Sequence, residues 1–320
     1  MKQLKQSNCK SILTNCNNLR KKLAKIYKNY TNPIVGIIYM LHRVDDFEPG
    51  KIIHNENLKI SPIFLEQFIL ANQDNYDFIS IDTLREILTG NIKISHKPFI
   101  IFTLDDGYKD NYTKAFPIFT KYNVPFTVYV ASDFPDNKTL LWWYILEEII
   151  LKNEYILLST GKIFDCRNYD KKNSSFLQIR RIILNLPYNN FNQLFYKLLS
   201  NYNISEIKYC DITISWQEII EMSKNPICTI GAHSVTHSRL SGLNEFDLMT
   251  EISGSKRRLE EMLGMKVNHF AYPYGTSQEV NQKVIEMAKK SGFHTAAIAN
   301  GGWIRKYGTN LFSLQRMMLT

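Results

Sequence analysis

Apolar positions in this chain fall into short unbroken runs separated by stretches with a helical period. Ile34 to Leu41, Pro98 to Leu104 and Val124 to Ala131 are nearly continuous apolar runs. Runs of that length, bounded by turn residues, are the pattern of strands buried on both faces. Between them, residues 62–72, 82–89 and 110–122 carry helical spacing, with Ser61-Pro62 and Asp82 as starting signals. The same texture returns after residue 226. Strands are expected at 227–231, running into His233, at 268–272, at 294–299 and at 311–318, with helices at 244–263 and 278–291. Such alternation predicts an α/β fold built on a parallel sheet with helices outside it.

Residues 135–225 interrupt this pattern. After Leu140-Leu141-Trp142-Trp143 the spacing is helical near 144–152, 173–185, 190–201 and 216–224. This predicts a mostly helical insertion, with Trp142 and Trp143 as packing residues. The start of the chain differs again. Residues 1–30 carry eight Lys and Arg and no acid, and Leu19, Leu23, Ile26, Tyr27 and Tyr30 recur at helical spacing. The expected organisation is a basic amphipathic arm over 1–32 and one domain over 33–320 with the insertion at 135–225.

Composition adds bounds. Of 320 residues, 44% are hydrophobic and 22% charged, enough for a sizeable core and unlike a disordered chain. The net charge is +9, but the arm holds +8 of it, leaving 31 basic against 30 acidic residues elsewhere. Charge is thus a property of the arm. No nucleic-acid motif accompanies it, so nucleic acid is not an expected partner, whereas an anionic membrane surface suits it. Cys9, Cys16, Cys166, Cys210 and Cys228 form no CxxC pair, which argues against a zinc knuckle or a disulfide scaffold. There is no apolar run long enough to span a membrane, and residues 1–30 lack the apolar centre of a secretory signal. The expected location is cytoplasmic, with peripheral contact at the inner face of the membrane.

Three polar clusters follow expected strand ends, the edge where parallel α/β folds place their sites. In Thr103-Leu104-Asp105-Asp106-Gly107, two adjacent carboxylates repel unless a cation compensates one, leaving the other as a base; the same residues also read as a turn. In His233-Ser234-Val235-Thr236-His237, two His four apart can hold one metal ion, and Ser234 or Thr236 can fix a ring by hydrogen bonding. Asp plus two His suits zinc or another divalent first-row ion with coordination sites left open. In Phe270-Ala271-Tyr272-Pro273-Tyr274-Gly275, a backbone N–H can serve as an oxyanion donor. His54, His96, His269 and His294 stand alone and read as surface or packing residues.

Taken in this order and spacing, the three motifs resemble the polysaccharide deacetylase family, the NodB-homology domain of carbohydrate esterase family 4. The resemblance covers roughly residues 33–135 and 226–320 and implies a distorted (β/α) barrel of about seven strands. It implies metal-dependent hydrolysis of an N-acetyl group on an amino sugar. Asp105 would be the general base, Asp106, His233 and His237 the metal ligands, and the Tyr274 N–H an oxyanion donor. The ion would be zinc, with Co2+, Mn2+ or Ni2+ as alternatives. The family pattern is broken in two places. Many members carry an Arg three residues before the motif proline, where this chain has Phe270, and many carry a late catalytic His, whereas residues 295–320 contain none. A subgroup that resembles biofilm poly-N-acetylglucosamine deacetylases carries that His on the first strand, and Tyr39-Met40-Leu41-His42-Arg43-Val44 resembles this arrangement, making His42 the expected general acid. Arg316 is the first candidate to replace the missing Arg and Arg43 the second. Tyr272, Pro273 and Trp303 are expected to line the sugar site. The implied partner is an amino-sugar glycan, a nucleotide sugar or a lipid-linked sugar of cell-envelope synthesis. Alternatives are hydrolysis of another non-peptide C–N bond, such as a formyl group, and a non-catalytic carbohydrate-binding protein of the same fold.

Overall fold

The computed structural model describes residues 31–204, 209 and 211–320. Of the expected basic arm over 1–32, residues 1–30 lie outside the described residues. Seven parallel strands close into a barrel. The runs of apolar residues form β1 (Ile34–Leu41), β3 (Phe99–Leu104), β4 (Phe126–Val130), β5 (Cys228–Ala232), β6 (His269–Ala271) and β7 (Thr295–Ile298), paired in that order. The short β2 (Asp77–Phe78) adds to β3, and β8 (Ile304–Arg305) runs antiparallel to the start of β1. Closure falls to the end of the chain. β9 (Leu314–Gln315) pairs with β7, and β10 (Met317–Met318) pairs with β1, with Arg316 between them. The expected strand at 311–318 therefore exists, split where it passes from one neighbour to the other.

Strand alternation sorts the side chains. Ile100, Phe102 and Leu104 of β3, Phe126 and Val128 of β4, and Ile230 of β5 face outward into the main core. There they meet the surrounding helices α1 (Pro62–Asn72), α3 (Phe116–Lys121), α8 (Glu245–Leu263) and α9 (Gln282–Lys290). The alternate set, Ile38, Ile101, Tyr129, Ala271, Ala297 and Leu314, fills the barrel with Ile81 and Leu84 of α2 (Ile81–Leu88). One more step along that inner set brings His42, Asp105 and His233 to the C-terminal rim. Small residues make room below them: a Cβ on Gly231 would stand 2.5 Å from the Tyr129 ring.

Local sequence explains the departures from expectation. Helix 110–122 starts as a wide π turn over Asn111–Ala115 before α3. Pro117 lacks the N–H that a regular turn needs there. The insertion contains α4 (Trp142–Lys152), α5 (Tyr169–Ile183) and α6 (Phe191–Leu198), and also a hairpin, Tyr155–Leu157 with Ile163–Asp165, which helical spacing did not foresee. It has its own core, in which Leu146, Ile150, Phe176, Ile179 and Phe195 pack together. Helix α7 (Trp216–Ser223) is different: it buries Ile219 and Met222 in the barrel's core, so the stretch up to 225 is not all insertion.

Candidate active site

The site is a cavity of about 560 Å³ at the C-terminal rim, walled by barrel residues on one side and insertion residues on the other. Asp105 leaves β3 on the inner face and is buried. Arg316, also buried, grips it with both arms: Nη1 donates to Oδ1 at 2.6 Å and Nη2 to Oδ2 at 2.7 Å. Nη1 also donates to Thr103 Oγ1 at 3.2 Å, and the guanidinium lies 5.4 Å from the Tyr129 ring centre. Burial alone would raise the Asp105 carboxyl, but Arg316 and His233 hold it below the usual range. Arg43, the second candidate, bonds Asp110 Oδ2 at 2.7 Å and the Tyr144 hydroxyl at 3.0 Å instead. Phe270 is turned outward into the main core.

Asp106, His233 and His237 converge on one point. His233 Nε2 and His237 Nε2 lie 3.3 and 3.2 Å from Asp106 Oδ1, an oxygen buried with no hydrogen-bond donor. Tetrahedral zinc with bonds of about 2.0–2.1 Å sets neighbouring ligand atoms roughly 3.3–3.4 Å apart, so the three fit one such ion. His233 Nδ1 lies 2.8 Å from the Ala271 carbonyl, which fixes the proton there and frees Nε2 as a ligand. Burial would raise the Asp106 carboxyl, yet His237 and His233 hold it well below its ordinary value. The backbone is bent to achieve this. Among the described residues, six non-glycines have positive φ; Asp106, Ser234, His237 and Tyr274 are four of them, and the other two are asparagines, which tolerate that region.

His42 is half-buried on the same wall, and its buried Nδ1 has no protein partner. Burial lowers its imidazole below the ordinary value, against the opposing pull of Asp106 and Asp105. Tyr274 lines the cavity, its ring 4.9 Å from that of His237. Tyr272 reaches the wall, although its ring packs on Phe270 and its hydroxyl donates to the Phe312 carbonyl at 3.1 Å. Pro273 is buried outside the wall. Trp303 is elsewhere: it is half exposed over a separate hollow shared with Arg305 and Tyr307, because β8 lies along the start of β1, far from the rim.

With this geometry in place, the profile of the polysaccharide deacetylase family matches residues 93–296. The chain belongs to the polysaccharide deacetylase family. It is a hydrolase of carbon–nitrogen bonds other than peptide bonds, in a family that removes N-acetyl groups. Solved structures agree in fold. The Streptococcus pyogenes deacetylase PplD, in complex with acetate, superposes with a TM-score of 0.60 at 18% identity over 88% of this chain and 91% of that one. IcaB from Ammonifex degensii gives 0.56 at 17% identity over 90% and 92%. A de-N-acetylase from Aggregatibacter actinomycetemcomitans gives 0.55 at 16% over 89% and 94%. No curated protein sequence matches the chain.

Supports of the deacetylase site escaped the sequence reading. Glu251, fully buried on α8, accepts from the backbone N–H of Val235 (2.9 Å) and Thr236 (3.0 Å), from Thr236 Oγ1 and from the Tyr188 hydroxyl. It clamps the loop between the two histidines. Thr236 therefore serves Glu251 and not a His ring, and Ser234 Oγ accepts from the His237 backbone. Asp110 and Asn111 fasten the first-strand loop: Asp110 takes Val44 N and Arg43, and Asn111 Nδ2 donates to the His42 carbonyl at 2.8 Å. An acid within a helix and an Asp-Asn pair at the start of one carry no pattern that marks them as supports. His54, read as a surface or packing residue, lines the cavity, as do Trp142, Trp143, Arg180 and Arg181 from the insertion.

Proposed function

We propose that this protein removes the acetyl group from an N-acetylated amino sugar of a glycan or cell-envelope precursor, using a divalent ion held by Asp106, His233 and His237. One observation carries the reading: those three ligand atoms meet in a single cavity beside a carboxylate clamped by Arg316 and beside the His42 ring. Zinc is the first choice for a donor set of two imidazoles and one carboxylate. A bound ion would polarise the acetyl carbonyl and make water acidic enough to attack near neutral pH. Asp105, kept ionised by Arg316, takes the proton of the attacking water. The Tyr274 N–H, for which no protein acceptor exists among the described residues, donates to the developing oxyanion. His42 gives a proton to the departing amine. Amide and water are thereby converted to free amine and acetate.

The test uses purified protein loaded with zinc and a panel of N-acetylhexosamine oligomers, scored by acetate release and metal content. Asp106→Asn is expected to lose the metal. Asp105→Asn and His42→Ala should keep it and lose turnover by about 10²–10⁴-fold, the usual range for a general base or acid. Turnover by Asp105→Asn near that of the wild type, or no acetate from any sugar, would refute the reading.

A further inference from the structure

The insertion brings cations into the catalytic cavity. Arg180 and Arg181 occupy the last turn of α5, and both line the cavity that holds Asp105 and the two metal-site histidines. The other charges of that cavity are matched. Arg316 pairs with Asp105. Arg239 Nη2 lies 3.1 Å from Glu279 Oε1, and Glu279 also accepts from Thr276. Asp106 faces its two histidines. Among the described residues neither Arg180 nor Arg181 makes an ion pair, and Arg180 is half-buried. Burial presses the Arg180 guanidinium below its ordinary value, with Tyr274 and Glu279 opposing. The favourable field at a helix C-terminus explains basic residues in that turn, but not their presence in the wall of an active site.

A partly desolvated guanidinium without a partner is costly, and a bound anion removes that cost. Its planar fork matches phosphate and carboxylate oxygens, and the main attraction of such a pair grows as water is excluded. Resting on the deacetylase reading, we infer that Arg180 and Arg181 form a subsite for an anionic group, a phosphate or a carboxylate, carried by the N-acetylated sugar or by the unit next to it. The insertion thereby selects charged substrates for a barrel whose remaining charges are balanced. A neutral chain of N-acetylhexosamines leaves both cations unmet.

The experiment uses the full-length zinc-loaded protein and three probes: N-acetylglucosamine 1-phosphate, N-acetylmuramic acid, which carries a carboxylate, and neutral tri-N-acetylchitotriose. Calorimetry gives Kd for each, and acetate release is measured alongside. At least one charged probe should bind tenfold or more tighter than the neutral one, and which of the two does so distinguishes phosphate from carboxylate. In Arg180→Gln/Arg181→Gln affinity for the charged probe should fall by about tenfold or more, as expected for lost charge-assisted hydrogen bonds, so that the advantage disappears, while the neutral probe stays within about twofold. The paired Arg→Lys variant, with point charges in place of forks, should fall between the wild type and the Gln variant. Zinc content common to wild type and variant removes any contribution of anion binding at the metal. If the double variant fails to fold, Arg181→Gln alone, at an exposed position, should give a smaller loss confined to the charged probe. No preference for either charged probe in the wild type, or an equal loss for charged and neutral probes, overturns the subsite. Absence of acetate from every probe with the binding preference intact would count against the deacetylase reading and leave the subsite standing.

Discussion

Replacing Arg316 by Met tests how the barrel sets its base. Arg316 is 1% exposed and Asp105 2%, so little solvent is available to replace either partner. The substitution removes two hydrogen bonds to the carboxylate, one to Thr103 Oγ1 at 3.2 Å and one from Nε to the Ile298 carbonyl at 3.4 Å. Removing one partner of a buried ion pair costs about 3–5 kcal/mol, because the other charge stays buried and unmet. That is a large share of the roughly 5–15 kcal/mol by which a domain is stable. Turnover should fall by at least about 10²-fold, the scale of a catalytic group displaced by an ångström. Urea unfolding, acetate release and bound zinc are measured together. Zinc should remain, since Arg316 touches none of the three ligands. The double variant Arg316→Met/Asp105→Asn should regain most of the lost stability while staying inactive, because the orphaned charge is gone. Arg316→Lys should fall between, having a point charge in place of a fork. The reasoning fails if Arg316→Met loses less than about 1 kcal/mol and keeps turnover within twofold.

Three further outcomes follow from the same contacts. Glu251→Ala strands two backbone N–H groups and two hydroxyls, and supports of this kind shift metal affinity by about 10–100-fold, so zinc competition with a chelator should show that weakening without loss of the ligands themselves. His54 is pushed down to about 4 by burial and then by Arg180, from an ordinary 6.5. It is neutral in both states above pH 6.5; below that the unfolded chain binds a proton that the folded chain refuses, so stability falls as pH drops towards 4. The limit is about 3 kcal/mol and partial exposure reduces it to about 1–2, so thermal unfolding between pH 7 and 4.5 should fall less steeply in His54→Asn, and equal slopes would dismiss the effect. Deletion of residues 1–30 should weaken binding to anionic liposomes, and the proposed place at the inner face of a membrane fails if binding is unchanged, since the attraction is attributed to the eight basic residues of that arm.

Legibility in the sequence followed the length scale of each interaction. β1, whose burial on both faces leaves an unbroken apolar run, is found at Ile34–Leu41, the expected bounds. The polar residues at strand ends were visible because buried strands rarely end in adjacent acids or paired histidines. The bond between Arg316 and Asp105 spans 211 positions and was reachable only by asking what replaces a missing arginine. Glu251 had no such prompt: an acid in an amphipathic helix reads as solvent-facing, and only the fold turns it inward. Trp303 failed for a related reason. An aromatic residue near the end of the chain looked available to a sugar, but the antiparallel return of β8 carries it along the outside of β1. The hairpin at 155–165 is three residues a strand, too short for a period of two to stand out.

The barrel and the insertion divide the work. Inner-face alternation places His42, Asp105, His233 and Arg316 at one rim, so the reacting groups are fixed by strands that cannot shift register without turning every side chain over. The charges of that rim face one another, Arg316 with Asp105 and Asp106 with the two histidines. Trp142, Trp143, Arg180 and Arg181 close the cavity from the insertion. The insertion's core also takes in Tyr108, Ala131 and Phe134 from just past the strand ends, and Trp143 Nε1 donates to the Tyr108 hydroxyl at 3.2 Å, so wall and barrel are packed together. A second cavity of about 530 Å³ shares Trp142, Trp143, His237 and Tyr274 with the first and continues along Asn189, Asn190 and Asn192. Amide side chains beside indole rings offer hydrogen bonds and a flat apolar face to a neutral sugar. The cationic side and the amide side thus meet at His237.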